Sequence, residues 1–154
     1  MPERSQIAQP DSLDRLLVQV CRLHYARAHT LFDTIGVYRG QPPVLEALWE
    51  RDGLTHSELA ARLHVTQATM TRMIQRMEIA GFLARRPDPG DRRVSRVYLT
   101  KAGRAIRAEI ERVFRTIEAD TFAGFSADER GVLRQYLSRM RENLARAAGE
   151  AAAP

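Results

Sequence analysis

The chain has 154 residues, 44% of them apolar and 28% charged, which is the size and balance of one soluble globular domain. Its 24 basic residues outnumber 19 acidic ones, a net charge of +5 that favours a polyanionic partner, and all but Lys101 of the basic residues are arginine. A single cysteine excludes an internal disulfide framework. No apolar run reaches the ~18 residues of a membrane helix, and the opening MPERSQIAQPDS has no signal-peptide core, so the expected location is the cytoplasm.

Residues 1–11 are polar and proline-containing and read as a frayed tail. Ser12 is a candidate cap for a long helix that runs to about Thr34, with Leu13, Leu16, Leu17, Val20, Leu23, His24, Ala28, Leu31 and Phe32 at helical spacing. Cys21 lies inside it, with His24 and Tyr25 three and four residues on. Gly36, Gly40 and Pro42-Pro43 then break the chain, and VYRGQPP reads as a loop carrying Tyr38 and Arg39. Pro43 or Val44 opens a second helix through Leu45, Leu48 and Trp49, ended by Asp52-Gly53.

The next stretch is the most informative. Thr55 with Glu58 three residues on is a capping box, and Leu59, Ala60 and Leu63 place apolar side chains on one face of a short helix. His64 and Val65 make a turn, and Thr66 caps another helix. In that helix Met70, Met73, Ile74 and Met77 form a buried stripe, and Gly81 stops it. The other face carries Gln67, Ala68, Thr69, Thr71, Arg72, Gln75 and Arg76, with no carboxylate before Glu78. Such side chains hydrogen-bond base edges and phosphates in a major groove. Leu83 to Arg86 and Val94 to Leu99 read as two strands joined by the turn Pro87-Asp88-Pro89-Gly90-Asp91. Arg85, Arg86, Arg92, Arg93 and Arg96 crowd this hairpin, and Asp91 is placed to brace Arg93 in a fork.

Thr100 caps a long helix through Ala102, Ala105, Ile106, Ile110, Val113, Phe114 and Ile117. After a break at Phe122 to Phe125, Ser126 and Glu129 form a second capping box. It opens a last helix with Val132, Leu133, Tyr136, Leu137, Met140 and Leu144 on one face, and the alanine-rich end should fray. Long amphipathic helices at both ends invite a two-fold dimer.

Glu58-Leu59-Ala60, Gly81-Phe82-Leu83, Asp88-Pro89-Gly90-Asp91-Arg92-Arg93 and Leu99-Thr100-Lys101-Ala102-Gly103 together resemble the MarR family of bacterial winged helix-turn-helix regulators. The resemblance covers nearly the whole chain. It implies a mainly α fold of α+β winged-helix type, as one MarR-like domain over 1–154. Dimerisation helices would lie at about 12–34 and 100–147, and the DNA-binding part at about 42–99. It implies a homodimeric regulator, a repressor in the first instance, on a pseudo-palindromic operator in double-stranded DNA, released by a small aromatic or lipophilic effector. The expected DNA contacts are Thr66, Gln67, Thr69, Thr71, Arg72, Gln75, Arg76, Arg86, Arg92, Arg93 and Arg96.

Other chemistry is weaker. Cys21 is similarly placed to the cysteine of the family's peroxide-sensing branch, so a thiol sensor is one alternative; a core cysteine is the plainer reading. An architectural binder using the same wing without sequence preference is another. His24, Tyr25, Tyr38 and Arg39 are candidate effector-pocket residues, or simple packing. The four histidines show no metal-ligand spacing, no cofactor motif is present, and no Gly-rich phosphate loop, HExxH or GxSxG supports an enzyme.

Overall fold

Five helices begin where a Ser or Thr hydroxyl meets an otherwise unpaired amide. Ser12, Thr55, Thr66, Thr100 and Ser126 each accept from the backbone N–H three residues on, and Thr55 and Ser126 do so in reciprocal capping boxes with Glu58 and Glu129. The computed structural model describes residues 12–38 and 40–149. Residues 1–11, Arg39 and most of the alanine-rich end, all read above from sequence, lie outside them. The elements are α1 (Leu13–Asp33), α2 (Gln41–Glu50), β1 (Leu54–Thr55), α3 (His56–Arg62), α4 (Gln67–Ile79), β2 (Leu83–Pro87), β3 (Ser95–Leu99), α5 (Lys101–Ala105), α6 (Arg107–Thr121) and α7 (Ala127–Ala147). They make two compact units, Met1–Ile117 and Glu118–Pro154.

In the first unit a three-stranded antiparallel sheet, ordered β1-β3-β2, carries the wing. The register pairs Leu83 with Leu99 and Arg86 with Arg96 on one side of β3, and Leu54 with Val97 on the other. The core beneath it is built from α2, α3, α4, the sheet and α6. Leu45, Leu48, Leu59, Met70, Ile74, Met77, Val97 and Ile110 are fully buried, and Phe32, Val113 and Ile117 complete the cluster. Phe32 meets Phe114 edge to face at 5.4 Å. The Met/Ile stripe therefore holds α4 against the core. Truncating Ile74 to Ala would cost about 2–5 kcal/mol.

Three sequence expectations need correction. The wing is not a two-stranded hairpin, because Leu54 and Thr55, read as a lead into α3, pair with β3. The second helix opens at Gln41, ahead of Pro43, so Pro42 and Pro43 lie in its first turn, where a missing N–H costs nothing. Gly40 at φ 85° starts it with no side-chain cap, and buried Gln41 accepts the Tyr38 N–H at 3.0 Å. The helix after Thr100 is interrupted at Ile106, giving α5 and α6.

The second unit holds the end of α6 and α7. Gly124 at φ 81° makes its turn. No residue of α7 is buried. A hollow of about 280 Å³ is lined by Phe122, Leu133 and Leu137 with Arg130, Arg134 and Arg141. No helix of the described residues is long and apolar enough to cross a membrane.

Candidate nucleic-acid interface

With one face of α4 sealed into the core, the opposite face is exposed. Gln67, Ala68, Thr69, Arg72, Gln75 and Arg76 are exposed and Thr71 is half-buried. Their internal hydrogen bonds decide what each offers outward. The Thr66 hydroxyl donates to Thr69 Oγ1 at 2.9 Å and also accepts the Thr69 N–H at 3.1 Å. Thr71 donates its hydroxyl proton to the Gln67 carbonyl at 2.9 Å, leaving a methyl and an acceptor facing out. Arg72 Nε donates to the Ala68 carbonyl at 3.4 Å, which leaves the tip of its guanidinium for other partners. Gln67 Nε2 donates to Ser57 Oγ of α3 at 3.0 Å, tying the two helices of the motif together. His64, at φ 52°, turns the chain between them.

Two aspartates organise the wing. Asp91 Oδ1 accepts the Arg93 N–H at 3.0 Å and Arg93 Nε at 3.1 Å, so the expected brace is present and Arg93 is held extended at 92% side-chain exposure. Asp88 was not foreseen as a brace. Its Oδ1 accepts the Gly90 N–H at 2.7 Å and the Asp91 N–H at 3.0 Å, and its Oδ2 accepts from Arg96. The Arg96 guanidinium, then these two amides, hold the Asp88 carboxyl below the usual carboxylate range, and Asp88 in turn raises Arg96.

Arg96 also donates to the Gly53 carbonyl at 2.8 Å and lies 3.9 Å from Glu58. Its side chain is 31% exposed. Arg96, one of the expected DNA contacts, thus ties the wing turn to the residue just before β1. Arg86 stacks 5.3 Å above the Tyr98 ring, and Arg85 pairs with Glu78 at 2.8 Å. Arg85, Arg86, Arg92 and Arg93 line an open hollow of about 370 Å³ under the wing. The bonds of Asp88 to the Gly90 and Asp91 amides were readable in principle from an Asp at the first position of a turn, whereas its pairing with Arg96 depends on the register of β2 and β3.

The remaining sequence-predicted residues scatter. Cys21 is exposed on α1 rather than in the core. His24 and Tyr25 contact each other edge to face at 6.2 Å. Tyr38 lines a separate hollow of about 280 Å³ with Gln41, Thr69, Arg72, Met73 and Arg76. His24 and Tyr25 do not line it, and Arg39 is outside the described residues. Among the described residues no cluster of three or more His, Cys, Asp or Glu could hold a metal.

The MarR family model matches residues 38–95, the span that holds the helix-turn-helix and the turn of the wing. The regulator TtmR of Methylorubrum extorquens (strain PA1) is 32% identical over 165 residues, spanning 99% of this chain and 82% of that protein. The chain belongs to the MarR family. A Cys-to-Ser variant of E. coli MarR, solved with operator DNA, is 26% identical with a TM-score of 0.71, covering 83% of this chain and 92% of that one. Bordetella bronchiseptica BpsR, whose DNA binding is regulated by 6-hydroxynicotinic acid, is 27% identical with a TM-score of 0.72, covering 87% and 96%. This MarR-family protein is thus a DNA-binding transcriptional regulator with a winged helix-turn-helix fold, not an enzyme.

Proposed function

We propose that this protein is a repressor that binds a pseudo-palindromic operator as a homodimer and is released by a small acidic aromatic molecule. The observation that carries the reading is the outward face of α4, which offers Gln67, Thr71, Arg72, Gln75 and Arg76 while its other face is locked into the core. Arg72 suits a bidentate contact to guanine, and Gln67 or Gln75 suits adenine. Arg86, Arg92 and Arg93 of the wing supply phosphate and minor-groove contacts, with Arg86 held over Tyr98 of β3 and Arg93 braced by Asp91. Two such heads related by a two-fold axis would read half-sites about 34–36 Å apart.

Release is supported by the hollow that Tyr38, Thr69 and Met73 share with Arg72 and Arg76. A carboxylate seated there competes with DNA for the same guanidinium groups. That a small pyridine carboxylate regulates BpsR is in keeping with this. Cys21 supports a second route, since its thiol is exposed on α1. Under that route Cys21→Ser would bind operator and ignore peroxide; equal release of wild type and variant would end it.

The deciding experiment is binding-site selection on wild type and Arg72→Ala, with a thermal melt of each. The variant is expected to lose preference at one position per half-site, about 1–3 kcal/mol against the preferred base, with an unchanged melt. Identical selected sequences would mean that this face of α4 does not read bases.

A further inference from the structure

Of Gln67, Thr69, Thr71, Arg72, Gln75 and Arg76 on the outward face of α4, Gln67 is the one whose terminal group is shown tied to another element, while Glu78 at the far end pairs with Arg85. The Gln67 amide nitrogen donates to the Ser57 hydroxyl oxygen at 3.0 Å, and both residues are exposed at the same surface. Thr66, Thr69, Thr71 and Arg72 bond only within their own turn. The chemistry of this one cross-helix contact has a directional consequence.

A serine hydroxyl is both donor and acceptor, so by itself it accepts either end of a glutamine amide. With Ser57 free, the amide can present its nitrogen to Ser57 or, after a half-turn, its oxygen. The choice is settled if the Ser57 proton is taken by a group that can only accept. A DNA phosphate oxygen is such a group, and the first helix of a helix-turn-helix motif is the one that crosses the backbone. Once a phosphate takes the Ser57 proton, Ser57 Oγ can only accept. Gln67 must then turn its nitrogen toward Ser57, which leaves its oxygen and its second N–H facing the groove in a fixed order. That order, acceptor beside donor, complements the N6 amino group and N7 of adenine. It opposes guanine, whose O6 and N7 are both acceptors.

We propose that Ser57 is a positioning residue for sequence readout: a phosphate contact on Ser57 fixes the amide orientation of Gln67, and so makes adenine the preferred base at that position. This rests on the reading of α4 as the base-reading helix. It adds a residue of α3 to the recognition set and couples a sequence-blind contact to a sequence-specific one.

The test is binding-site selection, followed by affinities for adenine and guanine at the Gln67 position, on wild type, Ser57→Ala, Ser57→Thr, Gln67→Ala and the double variant. Ser57→Ala is expected to lower the adenine-over-guanine ratio about fivefold, the lower end of what a bidentate base contact is worth. It should also weaken all duplexes modestly with an unchanged salt slope, since a hydroxyl releases no counterion. Ser57→Thr, which keeps the hydroxyl, should retain the wild-type ratio. In the Gln67→Ala background, Ser57→Ala should leave base preference at that position unaltered, because the two act as a unit. An unchanged ratio in Ser57→Ala, or equal effects with and without Gln67, overturns the relay and leaves the regulator reading intact. A wild-type protein that selects no sequence overturns both.

Discussion

On the proposed function, individual side chains of this protein divide into those expected to touch DNA and those that hold the former in place, and the two groups predict different losses. Arg92 and Arg93 belong to the first. Replacing either by Ala is expected to weaken binding to specific and random duplexes alike and to shallow the log–log salt dependence by about one charge. Affinities measured across salt concentrations that coincide with wild type for both variants would remove the wing from the interface. Asp88 belongs to the second group. Asp88→Asn takes away the charge that Arg96 and two amides converge on, so it should weaken binding through a loosened wing. Because the folded state depresses this carboxyl, its contribution is present above the ordinary carboxylate range and is lost as pH falls through the lowered value. His56 behaves in the same direction for a different reason. Burial, then the nearby Arg85 charge, lowers its pKa against an opposing pull from Glu78, and its Nε2 has no hydrogen-bond partner. A base depressed on folding contributes stability that is complete above the unfolded value, roughly 6.5, and fades as pH falls below it. Thermal melts between pH 8 and 5 should therefore drop for wild type and drop less for His56→Gln; parallel curves would refute the assignment.

At the scale of elements, sequence and structure agree where the signal is local. Ser12, Thr55, Thr66, Thr100 and Ser126 mark helix starts because a cap and its amide lie three residues apart, and the stripe from Met70 to Met77 fixes which face of α4 is hidden. What was not legible depends on distant partners. Leu54 and Thr55 become a strand only because β3 lies beside them, and the tie between Arg96 and the Gly53 carbonyl joins residues 43 apart. The start of α2 was hidden because Gly40 needs no side chain to cap it. Glycine inside helices shows the same division between local and distant causes. A Cβ on Gly103 would sit 2.2 Å from the Phe82 carbonyl oxygen, where α5 leaves the sheet, whereas one on Gly131 in α7 meets nothing within 4 Å. Gly103→Ala should destabilise by about 1–3 kcal/mol or more through overpacking. Gly131→Ala should stabilise by up to about 1 kcal/mol through helix propensity. Denaturant titrations showing the same sign for both would mean that the close approach at Gly103 is not what selects glycine there.

For the whole molecule the question is what covers the terminal helices. The head is closed around its own core, yet α1 leaves Leu13 at 85%, Leu16, Val20 and Leu23 exposed, and α7 leaves Leu144 at 66%, Val132, Tyr136 and Leu137 exposed. An α-helix gains most of its stability by burying an apolar face, and α7 buries none of its residues. Faces this apolar are a liability in an isolated chain and an asset in a symmetric pair, where each copy supplies what the other lacks. A stable pair needs about 1,000 Å² or more of interface. We expect light scattering to give a dimer at micromolar concentration and the melting temperature to rise with concentration, because folding of the terminal helices is then linked to association. Leu23→Glu combined with Leu137→Glu should yield a monomer with lower helicity but an intact head core. That monomer should lose the two-half-site operator affinity while still binding a single half-site weakly. A wild-type chain that stays monomeric, with a melt independent of concentration, would contradict the dimer and with it the expectation of two half-sites one helical turn apart.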